Sequence, residues 1–357
     1  MHAQLKPFSV ARLLSTLLML VLLPTAAIAQ VCQPVTVAER GDAPDKAAEA
    51  ALYPRITIES SGRFCLSRDV HQGVLRDFLR RSPVYARHEA IIRIRADDVS
   101  IDLSGHTVSN AMQDGLTLIW FSKFVVGEQG GARLSRARIL NGILLSPGTA
   151  GVGIDLTASN LYGAHSLQFA PVPPGTTKQE FFKDTSHLIE SLRIHAGKRA
   201  ILIDGKNNVI RNNRITVDGT TAIVAQGPGV VIENNVIEVG HDPDALSESD
   251  RRLEAQTPFV IRLIQADGAI VRNNEIRLLD RPRRGSLPAA IELVETTGAL
   301  VEGNVLGGMD TPVQADGSSS FREARNSFEA CPAGATRFLP PGESLQAAGR
   351  QPLPPCR

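Results

Sequence analysis

Aromatic side chains are scarce in this chain of 357 residues: they make up 4%, with a single tryptophan, Trp120. Dedicated sugar-binding modules stack pyranose faces on exposed rings, so this composition argues against one. An excess of one charge sign is missing too. Lys and Arg number 38 against 37 Asp and Glu, a formal net of +1, so no global field favours nucleic acid or an anionic membrane. Cysteine is limited to four residues, and none lies at zinc-ligand spacing from another cysteine or a histidine, so no metal is expected. Beyond the first thirty residues no apolar run is long enough to span a membrane. Walker loops, nucleophile elbows and zinc-helix motifs are absent.

What is present is a recurring phrase. It reads Val209-Ile-Arg-Asn-Asn213-Arg-Ile215, then Val231-Ile-Glu-Asn-Asn235-Val-Ile237, Ile270-Val-Arg-Asn-Asn274-Glu-Ile276 and Leu300-Val-Glu-Gly-Asn304-Val-Leu306. The asparagines are spaced by 22, 39 and 30 residues. A period in the low twenties with occasional insertions is the signature of a solenoid, because one such coil cannot bury its own apolar face. Short Val/Ile runs bounded by Gly, Asn and Asp read as strands. Asparagine tolerates the left-handed backbone region and bonds to nearby backbone. Asn213, Asn235, Asn274 and Asn304 are therefore expected to form a structural amide ladder along one corner, with no ligand needed to explain them.

This phrase resembles the right-handed parallel β-helix repeat of the pectate-lyase-like superfold. The stretch Ile92-Arg-Ile-Arg-Ala-Asp-Asp-Val-Ser-Ile-Asp-Leu-Ser-Gly-His-Thr-Val108, preceded by Gly62-Arg-Phe-Cys-Leu66, resembles the first coil of many exported bacterial β-helix proteins. The resemblance covers about residues 55 to 310. It implies an all-β, single-stranded right-handed parallel β-helix with capped ends, and it is nearly silent on chemistry, because this architecture hosts lyases, hydrolases, epimerases and inert scaffolds.

From the N-terminus, basic Lys6 and Arg12, the apolar run Leu13–Leu23 and the small-residue site Ala27-Ile-Ala29 read as a secretory signal peptide, residues 1–29, cleaved near Ala29. The mature chain is then periplasmic or secreted, with a formal charge taken from +1 to about −1 by loss of Lys6 and Arg12. An even cysteine count in an exported chain implies disulfides. Two lie at each end, so Cys32–Cys65 and Cys331–Cys356 are the expected pairs. Residues 30–90 form an N-terminal segment and cap, with a short helix at Val74–Leu79; residues 91–315 form the β-helix and 316–357 a cysteine-closed tail. A surface loop is expected at Ala158–Asp184, and two shorter inserts at Gly240–Thr257 and Asp280–Pro288. Trp120, in the apolar run Leu116–Phe121, is expected in the core, and His106 at a structural turn.

Aligning coils on Gly205, Gly227, Gly268 and Gly298 puts Arg199, Thr221, Arg262 and Glu292 at one position with a common outward face. The inserts beside it carry His241, Asp242, Asp244, Arg251, Arg252, Arg281, Arg283 and Arg284. Such a groove suits an acidic polysaccharide: arginine grips a uronate carboxylate, and a neighbouring base takes the proton alpha to it. The expected catalytic set is His241, Asp242, Asp244 and Arg262, with the remaining residues of the groove binding substrate. Alginate epimerases on this fold carry Asp-Pro-His-Asp; here His241-Asp-Pro-Asp244 is a permuted version, so no roles are carried over. Polygalacturonase motifs and an aspartate trio for calcium are not found. No cofactor is expected; calcium is compatible with the fold, but no motif asks for it. Two functions remain: binding and processing of an anionic polysaccharide by lyase or epimerase chemistry, or a non-catalytic envelope scaffold.

Overall fold

A computed structural model describes residues 32–35, 56–71, 90–109, 117–121, 134–146, 151–157, 171–240, 259–279, 289–309 and 311–329. The strands belong to the unit Gln33–Arg357, separate from the unit Met1–Cys32. They form an all-β parallel solenoid, and no helix among the described residues is long and apolar enough to cross a membrane.

Each coil passes through three strands, one on each of three faces. In one coil these are Arg199–Asp204 on the first face, Val209–Arg211 on the second and Arg214–Val217 on the third. The next coil repeats them as Ile223–Gln226, Val231–Glu233 and Val236–Val239. Equivalent strands pair in parallel along the axis. The first face is a sheet of 9 strands, and the second and third together form a folded sheet of 17. Arg138–Ser146 and Leu188–Ala196 run through the corner between those two faces as single strands.

Alternation sends every second side chain inward. On the first face Ile56, Ile92, Ile154, Ile201, Ile223, Ile261 and Ile291 stack in one column, each at most 1% exposed. On the second, Ile101, Ile139, Ile189, Ile210, Ile232, Val271 and Val301 do the same. Each such side chain contributes about 1.5–3 kcal/mol of burial, and together they drive the coils to stack.

The asparagine pair at the corner between the second and third faces divides its work. The first residue takes the left-handed backbone, with φ of 57° at Asn212, 56° at Asn234 and 54° at Asn273. Gly303 fills the same place at 64° and Arg325 at 55°. The second residue is buried and makes the ladder. The Asn213 side chain donates to Asn235 Oδ1 at 3.0 Å, Asn235 to Asn274 Oδ1 at 2.9 Å, and Asn274 to Asn304 Oδ1 at 3.0 Å. Each side-chain oxygen also accepts the backbone N–H of the preceding rung, and each amide also donates to a carbonyl such as Ile210 O.

The ladder has one more rung than the sequence phrase shows. Asn304 donates to Asn326 Oδ1 at 3.0 Å, within a further coil of Thr311–Ala315, Phe321–Ala324 and Ser327–Glu329. Strands begin at Ile56–Ile58, within the stretch of about 55 to 310 that the resemblance covers, and run past the expected limit of 315. The rung at Asn326 was hidden because its second-face strand, Phe321-Arg-Glu-Ala324, is too polar to match the phrase.

The two described cysteines, Cys32 and Cys65, are disulfide-bonded. The expected signal peptide, the helix at Val74–Leu79, the inserts from 241 and 280 onward, and Cys331 and Cys356 lie outside the described residues. The end of the expected loop, 171–184, is not featureless. It holds a short helix, Lys178–Phe181, closed by a reciprocal Thr177–Glu180 cap, and Phe182 beside it is 1% exposed.

Asn235→Ala is expected to leave the Asn213 N–H buried without a partner and to take one of its donors from the Ile210 carbonyl, at a cost of about 2–4 kcal/mol. Asn234→Ala, exposed and strained only in its backbone, should cost about 1–2 kcal/mol. Urea unfolding of both variants checks this; equal losses would contradict the division of roles.

Candidate functional site

The outer side of the first face departs from the pattern of a solvated strand surface. One outward column holds Thr57, Arg93, Asp155, Leu202, Val224, Arg262, Glu292 and Gln314, in register from coil to coil. Val152, Leu202, Val224, Phe259 and Ile264 form a second buried apolar cluster on this side. Both sides of the sheet are therefore withdrawn from water over several coils, unlike the second and third faces, where buried and accessible residues alternate.

Ionisable groups sit inside this outer layer. At Arg199–Asp204 a local irregularity turns both Ala200 and Ile201 into the core, and both N–H groups donate to Ala222 O. Arg199, in register with Val152, shares the outer layer with Leu202. Asp155, Arg199 and Asp204 are only 5%, 1% and 5% exposed. Burial pushes the Asp155 carboxyl up to about 6, and nearby Asp204 adds to the rise. Two bonds from Thr157 to Asp155 Oδ1, N–H at 3.0 Å and Oγ1 at 2.6 Å, oppose it, as does the Arg199 charge. The result is a carboxyl that changes charge near neutrality beside a guanidinium and a second carboxylate, a combination found at functional sites more often than elsewhere.

A second group lies further along the column. Arg262 Nε is 2.9 Å from Glu292 Oε2, and the guanidinium carbon lies 4.8 Å from the centre of the Phe259 ring. Burial lowers the Arg262 value, with Glu292 opposing; burial raises that of Glu292, with Arg262 opposing. At the corner leading to the second face, Gln226 Nε2 donates to Gln265 Oε1 and Gln265 Nε2 to Glu295 Oε2. Lys178 Nζ from the short helix reaches Asp267 Oδ1 at 2.8 Å and also the Glu295 carbonyl.

The expected groove is corrected in two respects. Arg199 and Thr221 are not at the position of Arg262 and Glu292. The observed register is Leu202, Val224, Arg262, Glu292, while the position of Arg199 continues three residues away, at Phe259 and Ala289. Two places at this corner take positive φ: Gly205, Gly227, Gln265 and Glu295 occupy one, and Asn207, Gly229, Gly268 and Gly298 the other. The later coils also hold one more residue between these places, so matching glycine to glycine matched unlike positions. The second correction is exposure: Arg199, Thr221 and Glu292 are at most 7% exposed and do not line an open face.

His241, Asp242, Asp244, Arg251, Arg252, Arg281, Arg283 and Arg284 lie outside the described residues. Among the described histidines, His106 bonds Asp69 at 3.3 Å at a turn, and His195 bonds Asp218 at 2.8 Å on the third face. His187 is buried and accepts the Ala137 N–H; desolvation pulls it down to about 3. Among the described residues no cluster of three or more His, Cys, Asp or Glu is arranged to hold a metal ion. Asp155 and Asp204 went unnoticed in the sequence, although each follows a Gly-Ile or Leu-Ile step whose alternation turns it outward. No family model, curated protein or solved structure matches this chain.

Asp155→Asn keeps the acceptor for Thr157 and removes the charge. Between its ordinary value of 3.8 and about 6 the folded state holds a proton that the unfolded state has shed. Its contribution is therefore present below 3.8 and lost as pH rises through 6. The variant is expected to be more stable than the parent near pH 8, by on the order of 3 kcal/mol, and nearly equal to it near pH 3.5. His187, of opposite sign, is common to both proteins and cancels. Urea unfolding at the two pH values checks this; a pH-independent difference would contradict it.

Proposed function

We propose that this chain is an exported β-helix protein of the pectate-lyase-like type that binds an acidic polysaccharide along the outer side of its first face and processes it by proton abstraction. Asp155 takes the proton alpha to a uronate carboxylate, and Arg199 stabilises the charge that develops on that carboxylate. In a lyase the electron pair then expels the glycosidic oxygen on the carbon β to that carboxylate, to which Asp155 passes the proton it has taken, leaving an unsaturated sugar. In an epimerase a proton returns to the opposite side of the same carbon. The observation that carries this reading is the buried group of Asp155, Arg199 and Asp204 on the outer side of the sheet, where burial raises the Asp155 value. A carboxyl that loses stability by ionising in place is hard to explain as scaffolding, and a base is most effective near the working pH. Residues 1–29 read as the export signal, which puts the protein in the periplasm or outside the cell.

A second reading, a non-catalytic envelope scaffold, has its own support. On the second face Arg211 pairs with Glu190, Arg272 with Glu233 and Arg325 with Glu302, a surface that satisfies its charges internally. Asp155 is also only 5% exposed, so a polymer reaches it only if the outer layer opens.

The test is turnover of alginate and polygalacturonate, with calcium or a chelator, read as ultraviolet absorbance of the unsaturated product and as solvent deuterium incorporation. Asp155→Asn is expected to lower the rate by about 10²–10⁴-fold while the protein stays folded. Neither product nor exchange from the parent protein on any acidic polymer would favour the scaffold.

A further inference from the structure

Outward columns on the second and third faces differ in kind. On the third face the column through Arg193, Arg214, Val236, Glu275 and Val305 mixes charged and apolar side chains from coil to coil. On the second face one column is apolar without a break over five coils: Leu188, Val209, Val231, Ile270 and Leu300. All five are partly exposed, and none packs into either apolar cluster of the described residues. Alternation asks for apolar residues only on the inward side of a strand, so the core does not account for this stripe.

Two residues further along the same strands runs a charged column, Glu190, Arg211, Glu233, Arg272 and Glu302, whose sign alternates at every coil. Within the chain it is joined in blocks of two. Arg211 donates through Nε and Nη2 to Glu190 at 2.8 and 3.2 Å, and Arg272 donates through Nε to Glu233 at 2.7 Å. The two arginine side chains stay 40% and 46% exposed, and each guanidinium has five donors, more than these bonds use.

A column of alternating sign is complementary to itself run backwards. A second copy can be turned about a two-fold axis that lies along the strands, between Val209–Arg211 and Val231–Glu233. That operation keeps the strand direction and reverses the solenoid axis, so each column meets its own kind. Val209 then faces Val231 of the second copy and Leu188 faces Ile270, while Arg211 faces Glu233 and Glu190 faces Arg272. Each contact is made twice, as in any isologous interface. A slip of one coil would set like charges against each other. Copies running in the same direction would set the apolar column against the charged one.

We propose that the outer side of the second face is where two copies of this chain associate, as an antiparallel two-fold dimer with apolar columns in contact and charged columns interlocked. The contact is narrow, below about 1,200 Å² in all, which is the range of weak, reversible complexes. It uses a different face from the chemistry at Asp155 and does not depend on that reading.

The test is sedimentation equilibrium of the protein from about 1 µM to about 1 mM, for the parent, Val209→Asp, Val231→Lys and an equal mixture of the two variants. The parent is expected to dimerise with a Kd on the order of 1–100 µM. Each variant alone sets a charge against valine twice and should lose at least about tenfold. In the mixture the introduced carboxylate meets the introduced ammonium across the axis, and the other contact is the native valine pair. Affinity should therefore return to within about threefold of the parent. Urea midpoints check that each variant is folded, and the mixture does so again, since misfolded chains cannot restore a dimer. A parent that stays monomeric to about 1 mM overturns the proposal and leaves the stripe to a different partner. A dimer that neither variant weakens also overturns it, because the contact then lies elsewhere. So does a mixture no tighter than its components, because the register is then wrong.

Discussion

A column of buried amides fixes how this chain stacks on itself. The inward isoleucines and valines supply most of the driving force, at about 1.5–3 kcal/mol each, but they are nearly interchangeable. Slipping one strand by two residues keeps apolar groups inward and loses little of that burial. The amides of Asn213, Asn235, Asn274, Asn304 and Asn326 remove the ambiguity. A slipped coil would bury an amide away from its partners at a cost of about 1–3 kcal/mol per polar group. Burial makes the coils pile up; the amides decide which residue lies over which.

Fixed register has a consequence on the outside. Because each coil repeats the last at a constant rise, side chains far apart in sequence fall into straight columns. Asp155 and Arg262, separated by a long insert and several strands, occupy one such column. Both also sit in a layer that is poor in water, where ionised groups are costly. Asp155 responds by holding its proton to about 6. Arg262 stays charged and remains short of hydrogen bonds. Neither is what stability alone would select, and both lie on the same side of the same sheet.

The repeat was legible because the corner demands two things of adjacent residues, a left-handed backbone and a short amide, and Asn-Asn meets both. The coil at Asn326 was not, because Phe321, exposed, is the sole large apolar residue in Phe321-Arg-Glu-Ala324. The outward face was misread for a different reason. Glycine marks positive φ without saying which of two neighbouring corners it serves, so Gly205 and Gly268 looked equivalent when they are not. Asp155 escaped notice because a carboxylate on an alternating strand usually reads as solvated; its burial comes from packing on the outer side, which periodicity does not reveal.

If register is carried by whole coils, a coil can be taken out without disturbing its neighbours. Deleting 209–230 joins Asn208 to Val231, removes one strand from each face, and brings Asn235 beneath Leu192 in place of Asn213, which accepts the Leu192 N–H at 3.0 Å in the intact chain. Far-UV circular dichroism and urea unfolding of this shortened protein give the most direct measurement. The expected result is a β-rich spectrum with one cooperative transition and a smaller dependence on urea, in proportion to the surface lost. A chain that fails to fold, or that unfolds without cooperativity, would contradict the claim that stacked coils locked by their amides set the register on which the outer face depends.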